Sequence, residues 1–594
     1  MRAGLGERGV VLIVSAGLPV AAMAQGDPLA EPWASSQTFA SLQSSGTAWQ
    51  IVGRQVLGGL GGSVAIAGDV NADGVDDVVF GADRVDAGGV ARSGEAYVVF
   101  GVAGRTPIAA SVIGLNGANG FTIRGAAADD QLGRVSGAGD VNGDGIDDIL
   151  IGAPRADVAG VDSGESYVVF GRRDGFPAVL SPDDLDGTNG FRIQGVSEGD
   201  LSGSAVAGVG DLNDDGVDDV IIGAVLVDGP DRSVGAAYVV FGSRDGFDPV
   251  VSLAELDGDN GFALSASEVD GRLGYSVAAA GDVNGDGVDD AVVGATYGVR
   301  DGTVADGTAY VILGRRDAFP TSISTAQLDG TNGFAIRGAN PYDQTGAAVS
   351  AAGDLNGDGI DDVAIGSPSG GLLYEGYAYV GFGREVGFPP EIALADLDGS
   401  DGFRITGASV YERTGTAVAG GSDVNGDGFE DLVVGAPFQG YYYGCYYCGG
   451  YLAGRGAAFI VYGRETPFDA TVSLGETSAD SIVRIQGIVD SRMGTSLSTG
   501  GDFNADGRPD VVLGAPDGLR DGTEGRGAGV VIYGRGAAPC AADLDGDGVL
   551  TLFDFLEFQN LFDAGDPTAD FDGDGSLTLF DFLAFQNAFD AGCG

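Results

Sequence analysis

Seven segments of the chain place oxygen-bearing side chains at the same short spacing. In one of them, GDVNGDGIDD at 139–148, the first Asp is followed by Asn, Asp and Asp at positions 3, 5 and 9, and a Gly at position 6 permits a sharp turn. Calcium prefers about six to eight oxygens from carboxylate, amide and carbonyl groups. The backbone carbonyl at position 7 adds a fifth group to the four side chains. The spacing therefore predicts seven calcium sites.

The predicted ligands of each loop are the side chains at positions 1, 3, 5 and 9 and the carbonyl of residue 7. They are Asp69, Asn71, Asp73, Val75 and Asp77; Asp140, Asn142, Asp144, Ile146 and Asp148; Asp211, Asn213, Asp215, Val217 and Asp219; Asp282, Asn284, Asp286, Val288 and Asp290; Asp354, Asn356, Asp358, Ile360 and Asp362; Asp423, Asn425, Asp427, Phe429 and Asp431; Asp502, Asn504, Asp506, Arg508 and Asp510.

Two other interpretations of these loops compete with calcium binding. Asn-Gly and Asp-Gly pairs favour hairpin turns, but a turn does not need Asp at positions 1, 5 and 9 with Asn at position 3 in seven copies. An EF-hand needs an acidic ligand at position 12, and that position is apolar in every copy, as in Ile151. The loop must therefore close at position 9 and lead into a strand. Position 8 is acidic in six loops and is Pro509 in the seventh; we expect the acids to face solvent.

The loops recur at intervals of about 70 residues, and a fixed long period indicates a repeat architecture. Each unit carries four short strand patterns, such as GFTIRG at 120–125 and DDILIGAP at 147–154, and no helical period. Seven four-stranded units predict an all-β fold, a seven-bladed β-propeller. One fourth-strand pattern, at 49–53, stands before the first calcium loop. The last unit, in contrast, has no fourth-strand pattern after its third strand. We expect the N-terminal strand to complete the last blade and close the ring, whereas a linear solenoid would need polar caps.

The GFxIxG strand followed by GDVNGDGIDDxxIGAP resembles the FG-GAP repeat of integrin α-subunit propellers and their bacterial relatives. The resemblance covers about residues 49–536, with GAP itself at 152–154, 435–437 and 514–516. It implies calcium at the loop positions named above. Integrin propellers usually fill only some blades, whereas every blade here has a complete ligand set, which favours calcium as a structural element.

After residue 537 two 12-residue loops, 27 residues apart, have acids at positions 1, 3, 5 and 12, and each leads into an apolar segment that can be helical. Here the EF-hand pattern applies, and the predicted ligands, with the carbonyl of residue 7, are Asp543, Asp545, Asp547, Val549 and Asp554; Asp570, Asp572, Asp574, Ser576 and Asp581. The pair resembles a dockerin, which implies a cohesin-like partner. Positions 10 and 11 are Leu-Phe in both loops rather than small hydroxyl residues, so attachment or sorting at the cell surface is an equal interpretation.

The four cysteines fall into two pairs. Cys540 and Cys593 bracket the C-terminal module, and Cys445 and Cys448 lie in the Tyr-rich insertion YYYGCYYCGGY. In an exported protein both pairs are expected to form disulfides. Redox and metal-binding roles for the CxxC, and a binding role for the clustered tyrosines, stay open.

The charge balance and the N-terminus indicate an exported protein. The formal net charge is −56, with no His and with Arg as the only basic residue type, which disfavours nucleic acid and anionic lipid as partners. Two Arg, about 12 apolar residues and AMA-Q predict a signal peptide cleaved after Ala24. The apolar run is too short for a membrane span, so we expect a secreted or cell-surface protein. The expected division is 1–24 signal peptide, 25–48 lead-in, 49–536 propeller and 537–594 C-terminal module.

Two functions fit the sequence. The first is a non-catalytic adhesion or recognition protein that binds an extracellular protein or glycan through one propeller face. The alternative is a scaffold-tethered enzyme that degrades polysaccharide, since a glycosidase needs only two carboxylates. The recurring acids are all accounted for as calcium ligands, and no Ser-His-Asp, Cys-His or zinc pattern occurs. We therefore predict the non-catalytic function, with calcium as the cofactor at about nine sites.

Overall fold

The computed structural model describes residues 35–104, 111–227, 234–266, 271–297, 299–300, 303–304, 306–385, 387–439, 454–465, 467–477, 481–488, 490–518, 525–535, 544, 552–564, 569, 571 and 578–591. The predicted signal peptide, all four cysteines and most of the two C-terminal loops lie outside these residues. The structure therefore does not test those predictions.

Seven sheets, each built on four antiparallel strands, form a ring, which confirms the all-β seven-bladed propeller. Each blade has an inner, a second, a third and a fourth strand, counted outwards from the axis. The inner strands, which pack against one another around the axis, are Ser63–Gly68, Arg134–Gly139, Ser202–Gly210, Leu273–Gly281, Ala348–Gly353, Val418–Ser422 and Leu497–Gly501. The second strands are Asp77–Ala82, Asp148–Ala153, Asp219–Ala224, Asp290–Ala295, Asp362–Ser367, Asp431–Ala436 and Asp510–Ala515.

The third and fourth strands complete each blade. The third strands are Glu95–Val99, Glu165–Val169, Ala236–Val240, Thr308–Ile312, Tyr377–Gly381, Ala457–Val461 and Ala528–Ile532. The fourth strands are Gly120–Arg124, Gly190–Gln194, Gly261–Ser265, Gly333–Arg337, Gly402–Thr406, Ile482–Gln486 and, for blade 7, Ala48–Val52. The last of these pairs antiparallel with the third strand of blade 7, with Trp49 opposite Val531. The N-terminal strand therefore closes the ring, as predicted.

Six blades carry a fifth, parallel edge strand, so the prediction of four strands holds only for blade 7. The edge strands of blades 1 to 6 are Val179–Leu180, Val250–Ser252, Ser322–Ser324, Glu391–Ala393, Thr471–Ser473 and Ser36–Thr38. Each comes from the connection that leads to the fourth strand of the next blade. Blade 7 has a single parallel bridge, Val52 with Ser111, at the same place. Residues from Ser36 onward, placed in the lead-in by the sequence analysis, thus contribute to blades 6 and 7.

Burial explains the residue types of the strands. Every residue of the second strand Asp148–Ala153 is buried, because neighbouring blades cover both faces of the sheet, and such strands are continuously apolar. The Phe of the GFxIxG strand stacks on a Phe that precedes the edge strand donated by the next blade. Phe121 and Phe176 have ring centroids 4.2 Å apart with an interplanar angle of 6°. The same pair recurs at the next four blade boundaries.

The remaining described elements are short or lie near the ends of the chain. They are a two-stranded hairpin, Val299–Arg300 with Thr303–Val304; the 3₁₀ turns Val112–Gly114, Pro182–Asp184, Leu253–Glu255 and Thr325–Gln327; and the helices α1 Phe39–Ser45, α2 Leu552–Ala564 and α3 Leu579–Ala591. Within the described part of the chain, no helix is long and apolar enough to cross a membrane.

Candidate functional site: the ring of acidic loops

The seven predicted calcium loops, called acidic loops from here on, connect the inner strand to the second strand of each blade. The connection from the third to the fourth strand lies at the same end of the antiparallel sheet. All seven acidic loops therefore lie on one face of the ring. The other two kinds of connection, from second to third strand and from fourth strand to the next blade, lie on the opposite face.

Position 1 shapes the loop by accepting backbone hydrogen bonds. In blade 2 the Asp140 carboxylate accepts the N–H of Asp144 at 2.9 Å and that of Gly145 at 2.7 Å. The same two bonds form in the other six loops. These bonds require Asp at position 1 and a tight turn at positions 5 and 6, independently of any metal.

Position 9 ties the loop to its own blade. The Asp148 carboxylate accepts the N–H of Val141 at 3.1 Å and that of Gly171, just beyond the third strand, at 2.8 Å. The equivalent aspartates make the same two bonds in every blade and are fully buried. Position 9 is thus the point at which the acidic loop is fixed to the outer strands.

The expectation that the position-8 acids face solvent is wrong. Asp147 of blade 2 is half-buried, and its carboxylate accepts the N–H of Asp69 in blade 1 at 2.9 Å. The equivalent bond to the preceding blade is made by Asp218, Asp289, Asp361, Glu430 and, across the ring closure, Asp76. These acids bind across blade boundaries and are called the latch residues.

Sequence differences among the seven loops show where the latch contact is made and where it is absent. The residue before position 1 is Gly in six loops, and a Cβ built on Gly68 would lie 2.2 Å from the Asp147 carboxylate oxygen. Blade 7 has Pro509 in place of the latch acid, and at the boundary it faces, Ser422 replaces the Gly. Glycine is therefore needed where the carboxylate of the next blade approaches the backbone. The joint replacement of the acid by Pro509 and of the Gly by Ser422 is visible in the sequence, and it is the signal that could have revealed the contact between blades.

The side-chain oxygens at positions 3 and 5 are only partly occupied by hydrogen bonds within the protein. Asn142 accepts the N–H of Asp144 at 2.9 Å. The Asn425 and Asn504 amide groups instead donate to the position-5 carboxylates, and their Oδ1 atoms are buried without a hydrogen-bond partner among the described residues. An unpaired buried oxygen next to carboxylates suits a hard cation better than it suits an empty loop.

Burial raises the pKa of every position-9 aspartate. The pKa values of Asp148, Asp290 and Asp362 rise to about 8, mainly because the carboxylates are desolvated. The carboxylates at positions 1 and 5 raise them further, and the glycine N–H bond opposes the rise. The pKa values of Asp77, Asp219, Asp431 and Asp510 rise in the same way. A bound cation would oppose this rise in pKa, because it favours the ionised form of the carboxylate.

The described residues do not gather three or more acidic, Cys or His side chains as a preformed metal site. The carboxylates are turned towards the N–H groups of the loops. The all-oxygen donor set still fits calcium, because a carboxylate oxygen that accepts an N–H keeps a lone pair for a metal. Calcium at the acidic loops stays a prediction, as do the position-7 carbonyl ligands.

The C-terminal module is described only at its helices and a few adjoining residues. Asp581, predicted as a metal ligand, is buried, and its carboxylate accepts the N–H of Thr578 at 2.6 Å, which caps helix α3. Phe558 of α2 stacks on Phe585 of α3, with ring centroids 4.2 Å apart. The other predicted ligands of this module lie outside the residues whose side chains are described.

Comparison with known proteins supports the propeller repeat. A model of the FG-GAP repeat matches residues 132–169, 273–312, 345–381, 414–460 and 493–532. The chain is 30% identical over 252 residues to integrin alpha pat-2 of Caenorhabditis elegans, covering 40% of this chain and 18% of the relative. It is 28% identical over 257 residues to integrin alpha-V of Gallus gallus, covering 42% and 21%.

A second group of relatives consists of enzymes by name. The chain is 29% identical over 329 residues to phosphatidylinositol-glycan-specific phospholipase D of Homo sapiens, covering 52% of this chain and 35% of the relative. In each of these comparisons the chain spans little more than a third of the relative's length, or less. The relatives therefore share the repeat and not a whole protein. The chain is thus a seven-bladed β-propeller that carries FG-GAP repeats, similar in that part to integrin α subunits and to phosphatidylinositol-glycan-specific phospholipases D.

Proposed function

We propose that this chain is a calcium-loaded, non-catalytic recognition propeller that acts outside the cell, at a surface or in a matrix. The observation that carries the proposal is the ring of seven acidic loops, each with the same oxygen donors on one face. Integrin α subunits, which are similar in the repeats, supply the analogy for adhesion. Signal peptide, disulfides and export are part of the same proposal.

Calcium would be held by the side chains at positions 1, 3, 5 and 9 and by the carbonyl at position 7. The ion would supply positive charge where three carboxylates lie in one loop, and so remove their mutual repulsion. The latch residue at position 8 is left out of this set, because its carboxylate is directed to the neighbouring blade. The chain's own groups keep the loops closed; the ion would stabilise the folded ring by mass action.

The proposal is tested by counting calcium and by binding. Metal analysis of the dialysed protein should give close to nine calcium ions per chain, and EDTA should lower the melting temperature sharply. Arrays of extracellular proteins and glycans, screened with and without calcium, should give binding without turnover. A count near two would remove the propeller loops from the calcium sites, and an unshifted melting temperature in EDTA would contradict calcium as a structural element.

An enzymatic function is the second candidate, favoured by one cavity. A cleft of about 960 Å³ between blades 4, 5 and 6 is lined in part by the blade 5 acidic loop, including Asp358. It is also lined by four acids that belong to no acidic loop: Asp396, Asp398, Asp401 and Glu465. Asp398 and Asp401 hold a turn, since each accepts a backbone N–H there, so Asp396 and Glu465 are the acids left for chemistry. Release of reducing sugar from a polysaccharide panel, abolished in Asp396→Asn and Glu465→Gln, would replace the non-catalytic proposal.

The C-terminal module is proposed as an attachment module of dockerin type. Two helices of 13 residues with a shared phenylalanine core support this proposal. A cohesin panel in the presence of calcium tests it; binding that EDTA abolishes supports a cohesin partner, and retention of the full chain on cell surfaces without cohesin binding supports surface sorting.

A further inference from the structure

Four blades cover a phenylalanine ring with an arginine of the same chain, on the face that carries the acidic loops. The arginine follows the glycine at the end of the third strand, and the phenylalanine comes four residues later. The guanidinium carbon lies 4.1–4.6 Å from the ring centroid, which is a cation–π contact. The pairs are Arg172 with Phe176, Arg315 with Phe319, Arg384 with Phe388 and Arg464 with Phe468.

Blade 3 has the phenylalanine but not the arginine. Phe247 is the equivalent ring, because it stacks on Phe191 of the preceding blade with centroids 4.0 Å apart, as the four phenylalanines do at their own boundaries. Ser243, four residues earlier, stands where the arginines stand. Its N–H donates to the Val141 carbonyl at 2.9 Å, and the arginines make the same backbone bond to their preceding blades.

The two remaining blades do not repeat this combination. Blade 1 has neither residue, since Val102 replaces the arginine and no Phe lies between it and the fourth strand. Blade 7 has Arg535 without a following Phe, and its guanidinium donates to the Thr47 hydroxyl at 2.8 Å instead. Blade 3 alone therefore has the phenylalanine without a cation from its own chain.

One face of the Phe247 ring is left open by this exchange. Phe191 covers the other face, and no guanidinium lies over Phe247 among the described residues. The four phenylalanines under an arginine are buried, whereas Phe247 is only partly buried. The next residue, Arg244, does not take the missing place, because its guanidinium donates to the carbonyls of Asp215 and Gly216 in the acidic loop.

A cavity of about 540 Å³ is lined by Ser243 and Phe247, and its volume lies in the range of small-ligand sites. Arg244 is the one basic residue of this lining. Four acids of the lining belong to no acidic loop and are exposed: Asp245, Asp248, Glu255 and Asp259. These surface carboxylates place negative charge around the open ring, which favours a cation.

We infer that the cavity of blade 3 binds an arginine side chain of a protein partner, with the guanidinium stacked on Phe247. The fold itself indicates this occupant, because four equivalent rings are covered by the same group from their own chain. A planar guanidinium stacks on an aromatic face and is more weakly hydrated than the ammonium of Lys. The exposed acids around the ring complement its charge. The inference deepens the proposed recognition function and rests on it.

The test fills the cavity with the group that the other blades carry. Ser243→Arg places an arginine four residues before Phe247, so this variant should fold and melt like the parent chain. A displayed library of random 12-residue peptides is depleted on the variant and then panned on the parent, both as full chains loaded with calcium. Peptides that survive both steps should contain Arg. Replacing that Arg by citrulline, which keeps the planar shape but removes the charge, should weaken binding to the parent at least tenfold in fluorescence anisotropy.

Two further variants separate the ring from general effects of charge. Phe247→Leu keeps an apolar contact with Phe191 and removes the aromatic face, so it should bind the selected peptides at least fivefold more weakly. Ser44→Arg is the matched control, because it adds the same charge at an exposed position of helix α1, outside the lining of the cavity; it should bind like the parent.

Several results would overturn the inference. Selected peptides without Arg, or with equal affinity for the parent and Phe247→Leu, would remove the stacked guanidinium. A concentration-dependent dimer that Ser243→Arg loses would make a second copy the occupant, and glycan-array binding lost in that variant would make the occupant a saccharide. Calcium-dependent binding of library peptides that the parent and Ser243→Arg share, with none specific to the parent, would keep the recognition function and refute the cavity. Release of reducing sugar from a polysaccharide by a parent protein that binds no peptide would refute the recognition function itself.

Discussion

The carboxylate of Asp147 in blade 2 accepts the backbone N–H of Asp69 in blade 1 at 2.9 Å. One side chain thus joins the acidic loops of two blades, and six of the seven boundaries carry this bond. A hydrogen bond with a charged acceptor typically contributes about 1.5–3 kcal/mol. The ring of loops is therefore bonded from blade to blade as well as within each blade.

Replacing Asp147 by Ala should lower the free energy of unfolding by about 1–3 kcal/mol, because it leaves the half-buried Asp69 N–H without its acceptor. Equilibrium unfolding in guanidinium chloride measures the change. Asp174→Ala is the control, since that side chain is 85% exposed, and it should change the stability by less than about 0.5 kcal/mol. Equal effects of the two substitutions would contradict the latch.

The sequence predicted the propeller because its strongest signals are local and repeated sevenfold. The blade number was predicted from the repeated turn residues and the apolar second strands. The ring closure was predicted from the strand around Trp49, which precedes the first acidic loop. The edge strands were missed because strands as short as Val179–Leu180 leave no pattern of alternation. The latch was missed because Asp147 lies next to Asp148, and a pattern search cannot tell which of two adjacent carboxylates turns to the neighbouring blade.

Substitutions at positions 5 and 8 of one acidic loop should distinguish a metal ligand from a latch residue. Asp144→Asn should remove one calcium ion per chain, because an amide offers a single oxygen and no charge, whereas Asp147→Asn should leave the count unchanged. Metal analysis after dialysis against calcium measures both. If Asp147→Asn also lost an ion, the position-8 carboxylate would have to be a ligand.

The stability of the calcium-free protein should fall as the pH rises from about 4 to about 8. The folded-state pKa of Asp148 is about 8, above the value of about 3.9 in an unfolded chain. In this window the folded state holds more protons than the unfolded state, so raising the pH destabilises it. Thermal unfolding in EDTA should thus show a lower melting temperature at pH 7.5 than at pH 5.5.

Calcium should reverse most of this dependence, because the ion binds the ionised carboxylates and its affinity rises through the same pH window. The same melts in excess calcium provide the comparison. A pH-independent melting temperature in EDTA would show that the position-9 aspartates stay ionised in the calcium-free fold, and would contradict their raised pKa values.

The N-terminal strand closes the ring by pairing within blade 7. A substitution in this strand should therefore destabilise blade 7, although the other strands of that blade lie more than 400 residues later in the sequence. Ile51 is fully buried and lies opposite Gly529 in blade 7, so Ile51→Ala should cost about 2–5 kcal/mol of the free energy of unfolding. Ile51→Asp should go further, because it would detach the fourth strand and leave the third strand of blade 7 as an open edge. Limited proteolysis of that variant should cut first within blade 7, around 525–535. Gln37→Ala is the control, since Gln37 lies only in the edge strand of blade 6. Cleavage spread evenly over all seven blades would mean that the ring does not depend on this strand for closure.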